Sequence, residues 1–192
     1  MVRSGPLKVG VLALQGDFRE HIRVLATAGA VPVEVRTAAE LADVDRLVIP
    51  GGESTTIAKL AHAGDLVDPL RERARDGMPI LGTCAGMIVL AERVLDGEPL
   101  LSLMDVTVRR NAYGRQIESF EADVEVDGID HPVRGVFIRA PWIEDVGSEV
   151  RVLSSYESRP VVLQQRNLLA ASFHPELVGE TALHEYFLSL PR

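Results

Sequence analysis

The chain has 192 residues, of which 46% are hydrophobic and 25% are charged, and its formal net charge is −8. This length and composition predict one globular domain over residues 1–192, and the acidic balance argues against binding to nucleic acid or to an anionic membrane. No apolar run has membrane-spanning length, no stretch resembles a signal peptide, and a single cysteine excludes an intrachain disulfide, so we expect a cytoplasmic protein.

Apolar runs and amphipathic stretches alternate through the first half of the chain. They predict strands at residues 8–14, 31–36, 46–49 and 79–81, and helices at 18–28, after Thr37, after 50–56, from 65 to 76, and at 87–95. Asp17 and Asp65 are the expected N-caps of two of these helices, and Thr37 with Glu40 has capping-box spacing. Strands alternating with helices predict a parallel sheet with helices on both faces.

The second half is dominated by consecutive strands, which favour antiparallel pairing. We predict strands at residues 106–109, 120–126, 133–138, 150–154, 161–165 and 168–173, and a closing helix at 181–188. The predicted fold is therefore a three-layer α/β domain. Its mostly parallel, flavodoxin-like sheet has helices on both faces and added antiparallel strands.

The turn between the fourth strand and the next helix carries the one cysteine. The segment Gly-Thr-Cys-Ala-Gly (82–86) has a Gly-x-nucleophile-x-Gly pattern, with Cys84 where α/β hydrolases often have serine. Such a turn strains its central residue and leaves no room for a Cβ on the flanking positions. It would hold the sulfur above the sheet edge at a helix N-terminus, which favours a thiolate. The alternative is an inert, buried cysteine that packs as a small hydrophobe.

A histidine and a glutamate follow the last predicted strand. Pro175 restricts His174 to an extended backbone, and residues two apart in an extended segment share a face, so His174 and Glu176 should lie side by side. The carboxylate would fix the tautomer of the imidazole, as in a nucleophile–base–orienter triad. Alone, the segment favours a strand end with a solvated glutamate over a catalytic pair. Its combination with the cysteine turn favours catalysis.

Consecutive glycines follow the third strand, in Pro-Gly-Gly-Glu (50–53). Their backbone N–H groups can approach a substrate oxygen closely. Next to a thiol nucleophile, they predict an oxyanion hole made by the N–H groups of Gly52 and Ala85. A simple strand-to-helix turn is the alternative interpretation.

These three segments, in this order, resemble the class I (triad) glutamine amidotransferases. Further stretches are similar to one branch of that family, the glutaminase subunits of pyridoxal 5'-phosphate synthases. They lie at residues 14–16, 19–21, 51–56, 110–111, 114–116, 119–122 and 135–141. The resemblance covers the chain from about residue 8 to the final helix. It departs slightly from the family at residues 112–113 and in a short loop at 95–103.

The resemblance implies roles for individual residues. Cys84 is the nucleophile, His174 the base and Glu176 its orienting carboxylate. Backbone or side-chain contacts to glutamine are implied for Gly52, Glu53, Ser54, Arg110, Ile138 and Arg139. Arginine suits the α-carboxylate of glutamine and glutamate its α-ammonium group, although without the family both arginines would be interpreted as surface ion-pair partners.

The other histidines carry no predicted catalytic role. His62, His131 and His184 are interpreted as surface or helix residues, whereas the family pattern places His21 near a partner interface.

The implied reaction is hydrolysis of L-glutamine to glutamate and ammonia through a cysteine thioester, with no metal and no organic cofactor. The ammonia would pass to a (β/α)8-barrel synthase subunit in a hetero-oligomeric complex. That subunit would make pyridoxal 5'-phosphate from ribose 5-phosphate and glyceraldehyde 3-phosphate. Low activity is expected before the partner docks, because a free glutaminase would waste glutamine.

Other classes stay open at this point. An intracellular α/β peptidase or chaperone with an elbow cysteine often has histidine directly after the nucleophile, and here that residue is Ala85. A non-catalytic binding module would have no use for His174 and Glu176. A glutaminase that serves another synthase, such as one in histidine biosynthesis, is the nearest alternative.

Overall fold

The computed structural model describes residues 6–110 and 119–191. The stretch at residues 114–116 and the departure at 112–113 lie outside the described residues. No helix in the described ranges is long and apolar enough to cross a membrane.

Strands make up most of the regular structure. In chain order they are β1 Lys8–Leu12, β2 Val31–Val35, β3 Arg46–Ile49, β4 Ile80–Thr83, β5 Ala91–Val94, β6 Met104–Arg109, β7 Phe120–Val124, β8 Val133–Phe137, β9 Trp142–Val146, β10 Arg151–Tyr156, β11 Arg159–Gln165 and β12 Leu168–Ala171. The helices are α1 Phe18–Thr27, α2 Ala38–Ala42, α3 Ser54–Ala63, α4 Val67–Arg75, α5 Ala85–Leu90 and α6 Ala182–Ser189, with a 3₁₀ turn at Glu176–Val178.

A seven-stranded sheet in the order β10-β11-β12-β4-β3-β1-β2 forms the middle layer. β2, β1, β3, β4 and β12 run parallel, and β11 and β10 add an antiparallel edge. A three-stranded sheet β5-β6-β9 and a hairpin β7-β8 complete the fold. The predicted class is confirmed: a mainly parallel sheet between helices, extended by antiparallel strands.

Side chains of the central strands alternate between two hydrophobic clusters, one on each face of the sheet. In β3, Leu47 and Ile49 belong to the cluster under α2 to α5, whereas Val48 belongs to the cluster under α1 and α6. Both faces of the strand are therefore buried, which explains why it is apolar at consecutive positions.

Two helix ends were predicted wrongly, each for a physical reason, and one strand was missed. The helix expected at 87–95 ends at Leu90, because the next residues form β5 against β6 and Arg93 donates to Thr107 Oγ1 at 2.7 Å from that extended position. Asp65 caps no helix. It has φ +52 and closes α3 in a Schellman arrangement, with the Leu66 N–H bonded to the Ala61 carbonyl at 2.9 Å. β9 was not predicted.

Candidate active site

Four neighbouring strand ends form the base of one site. β12, β4, β3 and β1 are adjacent in the sheet, and the carboxyl ends of parallel strands meet at one edge, where open α/β sheets bind ligands. The segments that follow these strands are the His-Pro-Glu segment, the cysteine turn, the Pro-Gly-Gly segment and residues 15–17. The topology thus brings together the three motifs found in the sequence.

The cysteine turn is strained as its pattern predicts. Cys84 has φ +47 and ψ −104, a conformation that L residues rarely adopt, and the residue is 7% exposed. A Cβ on Gly82 would lie 2.6 Å from the backbone of Gly86, and one on Gly86 would lie 2.1 Å from the carbonyl oxygen of Ile49. Glycine is therefore required on both sides of the cysteine, and the short helix α5 packs directly against the sheet.

His174 and Glu176 are in contact, but not across an extended segment. Nδ1 of His174 lies 2.7 Å from Oε1 of Glu176. Pro175 has helical angles, φ −71 and ψ −29, and Glu176 opens the 3₁₀ turn, so the pair closes across a tight turn. β8 holds the histidine from the other side through two backbone hydrogen bonds with Val136, at 2.8 and 3.1 Å.

The electrostatics of this pair favour a protonated imidazole. Burial alone would lower the pKa of His174, but hydrogen bonds and charge interactions with Cys84 and Glu176 raise that pKa to about 10. Burial raises the pKa of Glu176, and the His174 interaction partly offsets the rise. At neutral pH the geometry therefore fits an imidazolium between a sulfur and a carboxylate.

The glycine segment after β3 lies against the imidazole. A Cβ on Gly51 would come within 2.2 Å of Cε1 of His174, so only glycine allows this approach. Gly52 has φ +146, and a Cβ there would lie 2.4 Å from Oε1 of Gln15. The two glycines have separate reasons to be glycine: one faces the histidine and the other faces the loop after β1.

A cavity of about 370 Å³ opens between these segments, a size typical of small-molecule sites. Nine of the ten predicted site residues line it: Gly52, Glu53, Ser54, Cys84, Ala85, Arg110, Ile138, Arg139 and His174. The tenth, Glu176, is 3% exposed and contacts His174. Sγ of Cys84 lies 3.8 Å from the carbonyl oxygen of Ile138. The structure therefore brings the predicted residues together around one small space.

An ion pair between Arg110 and Glu53 occupies one wall of the cavity. Nη2 of Arg110 is 3.2 Å from Oε1 of Glu53. The glutamate also caps α3 by accepting from the N–H groups of Thr55 and Thr56. Slight burial would raise the pKa of Glu53, but the hydrogen bonds from Thr56 and Thr55 lower it to about 2. The pair offers a fixed anion and a cation side by side, which complements the α-ammonium and α-carboxylate of an amino acid.

Asp17 is a site residue that the sequence did not reveal. It occupies the N-cap position of α1, as predicted, but its side chain makes no capping hydrogen bond. Its Oδ2 instead lies 3.4 Å from Nδ1 of His174, and burial raises the pKa of Asp17. Asp17, His174 and Glu176 are the one group of three potential metal ligands in the described part of the chain. The histidine already bonds to the glutamate, so we assign no metal to this group.

Two buried histidines are in contact with each other. His184 is a helix residue of α6, one of the two environments expected for it, but it is not on the surface, and His21 on α1 also has no exposed surface. The position of His21 near a partner interface stays a prediction. Nδ1 of His21 lies 2.8 Å from Nε2 of His184. The two residues are 163 positions apart, so no local pattern in the sequence could have joined them.

The fold and the arrangement of thiol, imidazole and carboxylate are those of a triad-type cysteine enzyme on an α/β scaffold. The chain belongs to the SNO glutamine amidotransferase family, whose sequence profile matches residues 11–190. A solved structure described as a glutamine amidotransferase superposes with a TM-score of 0.89 at 48% identity, over 94% of this chain and 96% of that one.

Several relatives share more than half of their residues with this chain. A Streptomyces avermitilis protein named pyridoxal 5'-phosphate synthase subunit PdxT is 57% identical, over 96% of this chain and 94% of its own length. A Parafrankia protein of the same name is 56% identical, over 96% of this chain and 93% of its own length. The similarity therefore extends over both chains almost completely.

Proposed function

We propose that this protein hydrolyses L-glutamine to L-glutamate and ammonia and delivers the ammonia to a synthase subunit that makes pyridoxal 5'-phosphate. The observation that carries the proposal is the Cys84–His174–Glu176 arrangement at a cavity whose wall holds the Arg110–Glu53 ion pair. Family membership and the names of the relatives support both the reaction and its purpose.

The first half of the reaction forms a thioester. The Cys84 thiolate attacks the carboxamide carbon of glutamine, and the negative charge on the carbonyl oxygen is held by the N–H groups of Gly52 and Ala85. The imidazolium of His174 then donates a proton to the nitrogen, the C–N bond breaks, and ammonia leaves. A pKa of about 10 keeps His174 charged for this acid step.

The second half releases glutamate. The now neutral His174 accepts a proton from water as its oxygen attacks the γ-glutamyl thioester. The C–S bond breaks, and the Cys84–His174 ion pair is restored. Glu176 stays ionised throughout and holds the imidazole in the tautomer that both steps require. No step needs a metal or an organic cofactor.

Glutamine is held by its amino-acid end. In our proposal Arg110 binds the α-carboxylate and Glu53 the α-ammonium group, replacing the ion pair that the two side chains make with each other. Ser54, Ile138 and Arg139 complete the substrate-binding set. The side-chain carboxamide then extends toward Cys84.

The partner and the cellular setting follow the sequence interpretation. We propose a (β/α)8-barrel synthase subunit in a hetero-oligomeric complex, which combines the ammonia with ribose 5-phosphate and glyceraldehyde 3-phosphate. The relatives are named as synthase subunits, which supports a synthase partner of some kind. We further propose that residues 1–192 act as one glutaminase domain in the cytoplasm.

Assays with and without the barrel subunit test this function. With glutamine and both sugar phosphates, the complex should release glutamate and form pyridoxal 5'-phosphate together. Cleavage of peptides in place of glutamine would contradict the proposal. So would stimulation by a synthase of histidine biosynthesis but not by the barrel subunit.

A further inference from the structure

A second carboxylate lies next to the triad histidine. Oδ2 of Asp17 is 3.4 Å from Nδ1 of His174, and Oε1 of Glu176 is 2.7 Å from the same nitrogen. The Nδ1 proton is donated to Glu176, which is the closer acceptor, so Asp17 acts on the imidazole through its charge and not through a hydrogen bond. The ring therefore has one carboxylate that holds its proton and another that adds negative charge beside it.

The fold fixes Asp17 at this position without using its side chain. Asp17 is the N-cap residue of α1, but its carboxylate makes no capping hydrogen bond. Its backbone N–H donates to the carbonyl oxygen of Gly51 at 3.1 Å, which ties the residue to the oxyanion loop. The side chain is 36% exposed and lines the same cavity as Cys84 and His174. The carboxylate therefore stands at the reaction site although the helix does not need it.

The charges around Asp17 oppose one another. Burial raises the pKa of Asp17, the imidazolium of His174 lowers it, and the carboxylate of Glu20 raises it. Asp17 in turn helps to raise the pKa of Glu176, whose pKa burial raises most. The imidazolium is the group that lets the two carboxylates stay ionised side by side.

The reaction has a stage at which a second carboxylate matters. Before attack, the Cys84 thiolate is a counter-ion of the His174 imidazolium. Once the sulfur has bonded to the carboxamide carbon, that negative charge lies on the oxyanion instead. The imidazolium must still keep its proton until the departing nitrogen takes it, and at this stage Glu176 and Asp17 are the anions beside the ring.

We propose that Asp17 is a positioning residue of the triad: its charge holds His174 as the imidazolium that protonates the departing ammonia. The inference rests on the proposed glutaminase function for its kinetic readout. Asp17 acts through His174, whereas Glu176 sets the orientation of the ring.

Three variants separate charge from shape in the complex with the synthase subunit. Asp17→Asn removes the charge and keeps the shape, and Asp17→Glu keeps the carboxylate. Glu20→Gln is the matched control, because Glu20 is a nearby carboxylate that pairs with Arg23 at 3.7 Å and does not line the cavity.

The pH dependence of kcat is the expected signature. An opposite charge at this distance shifts a pKa by about one to three units, and the exposure of Asp17 to solvent favours the lower value. Asp17→Asn should therefore move the alkaline limb of kcat down by about one pH unit, which is about a threefold loss at pH 9.5 and little change at pH 7. KM should stay the same.

The control variants decide whether the charge is the cause. Asp17→Glu should return the alkaline limb toward its wild-type position, and Glu20→Gln should leave it unchanged. Identical pH profiles for the wild type and Asp17→Asn would overturn the proposal. So would an equal displacement of the limb in Asp17→Glu or in Glu20→Gln.

A histidine titration followed by NMR gives a readout that does not use glutamine. The His174 signal is assigned by its loss in His174→Asn. His21 packs behind the triad but adds no charge, because burial, His184 and His174 lower its pKa well below the ordinary value. In the free chain, Asp17→Asn should lower the pKa of His174 by about one unit, and Asp17→Glu should restore it.

The titration also separates the inference from the function on which it rests. Equal titrations of His174 in the wild type and Asp17→Asn would refute the role of Asp17. A wild-type complex that hydrolyses no glutamine, yet shows the expected titrations, would refute the glutaminase function and leave the effect of Asp17 on His174 intact.

Discussion

The backbone N–H of Asp17 donates a hydrogen bond to the carbonyl oxygen of Gly51 at 3.1 Å. Because the C=O and N–H of one peptide point in opposite directions, this bond sets the direction of the Gly52 N–H, the proposed oxyanion donor. A second bond joins the same two loops: the N–H of Glu53 donates to Oε1 of Gln15 at 2.8 Å. The loop after β1 therefore controls the orientation of the glycine segment.

This coupling predicts activation by the synthase partner. A partner that contacts residues 15–17 would act on the Gly51–Gly52 peptide, which glycine allows to adopt either sign of φ. One correctly directed oxyanion donor is worth about 10²–10³-fold in turnover, so kcat should rise by up to that factor when the synthase subunit is added. Steady-state kinetics at saturating glutamine measure it. The same kcat with and without the subunit would show that the free chain is already fully active.

Gly16→Ala should displace the Gly51–Gly52 peptide by a change within the loop after β1. A Cβ at this position would lie 1.8 Å from the carbonyl oxygen of Gly51, so the peptide must move. We expect kcat in the complex to fall by about 10²–10³-fold, the value of one oxyanion donor. Gly29→Ala is the matched control. Its φ of +84 is close to the +93 of Gly16, but nothing lies within 4 Å of an added Cβ. Equal losses in the two variants would assign the effect to backbone strain alone.

Arg110→Ala should weaken substrate binding. If Arg110 binds the α-carboxylate of glutamine, its loss raises KM by about 10- to 100-fold and changes kcat much less. Arg109→Ala is the neighbouring control, since Arg109 pairs with Glu144 and does not line the cavity. Glutamine titrations of both variants in the complex test this. An unchanged KM for Arg110→Ala would remove this residue from the substrate site.

The sequence predicted the active-site turns better than the contacts behind them. The strain at Cys84 and the need for Gly82 and Gly86 are local properties, and the structure has all three as expected. His174 and Glu176 were paired correctly for an incorrect reason, because Pro175 turns the chain where an extended segment was expected.

The remaining site features depend on long-range packing. His21 meets His184 because α1 and α6 cover the same face of the sheet, and neither helix encodes that contact in its own pattern. The ion pair of Arg110 with Glu53 joins residues 57 positions apart. The family resemblance, and not the spacing of the two residues, indicated that both bind glutamine. Likewise β5 replaces the end of a predicted helix because β6 is available as its partner.

Stability should fall as the pH rises above neutrality. An unfolded histidine has a pKa near 6.5, whereas His174 in the folded protein has a pKa of about 10. In the folded state this proton sits on an imidazolium paired with a thiolate, whereas in the unfolded state the cysteine thiol holds a proton until about pH 8.5. The stability that comes from the raised His174 pKa is therefore lost mainly between about pH 8.5 and pH 10. The expected slope is at most about 1.4 kcal/mol per pH unit.

Urea unfolding between pH 6.5 and pH 10 measures this slope. His174→Asn should flatten the decline, whereas the same change at the exposed His62 should not. Parallel curves for the wild type and His174→Asn would contradict the assigned charge state of the triad.

The most direct test is to measure which nitrogen source, glutamine or ammonium chloride, supports pyridoxal 5'-phosphate formation by the Cys84→Ala complex. The elbow backbone does not depend on the sulfur, so the variant should fold and bind the synthase subunit. Loss of a triad nucleophile typically costs about 10⁶-fold in turnover, so pyridoxal 5'-phosphate formation from glutamine should disappear. Ammonium chloride should restore it to the wild-type rate. If the Cys84→Ala complex keeps even about a tenth of the wild-type activity with glutamine, Cys84 is not the nucleophile, because loss of the nucleophile should cost far more.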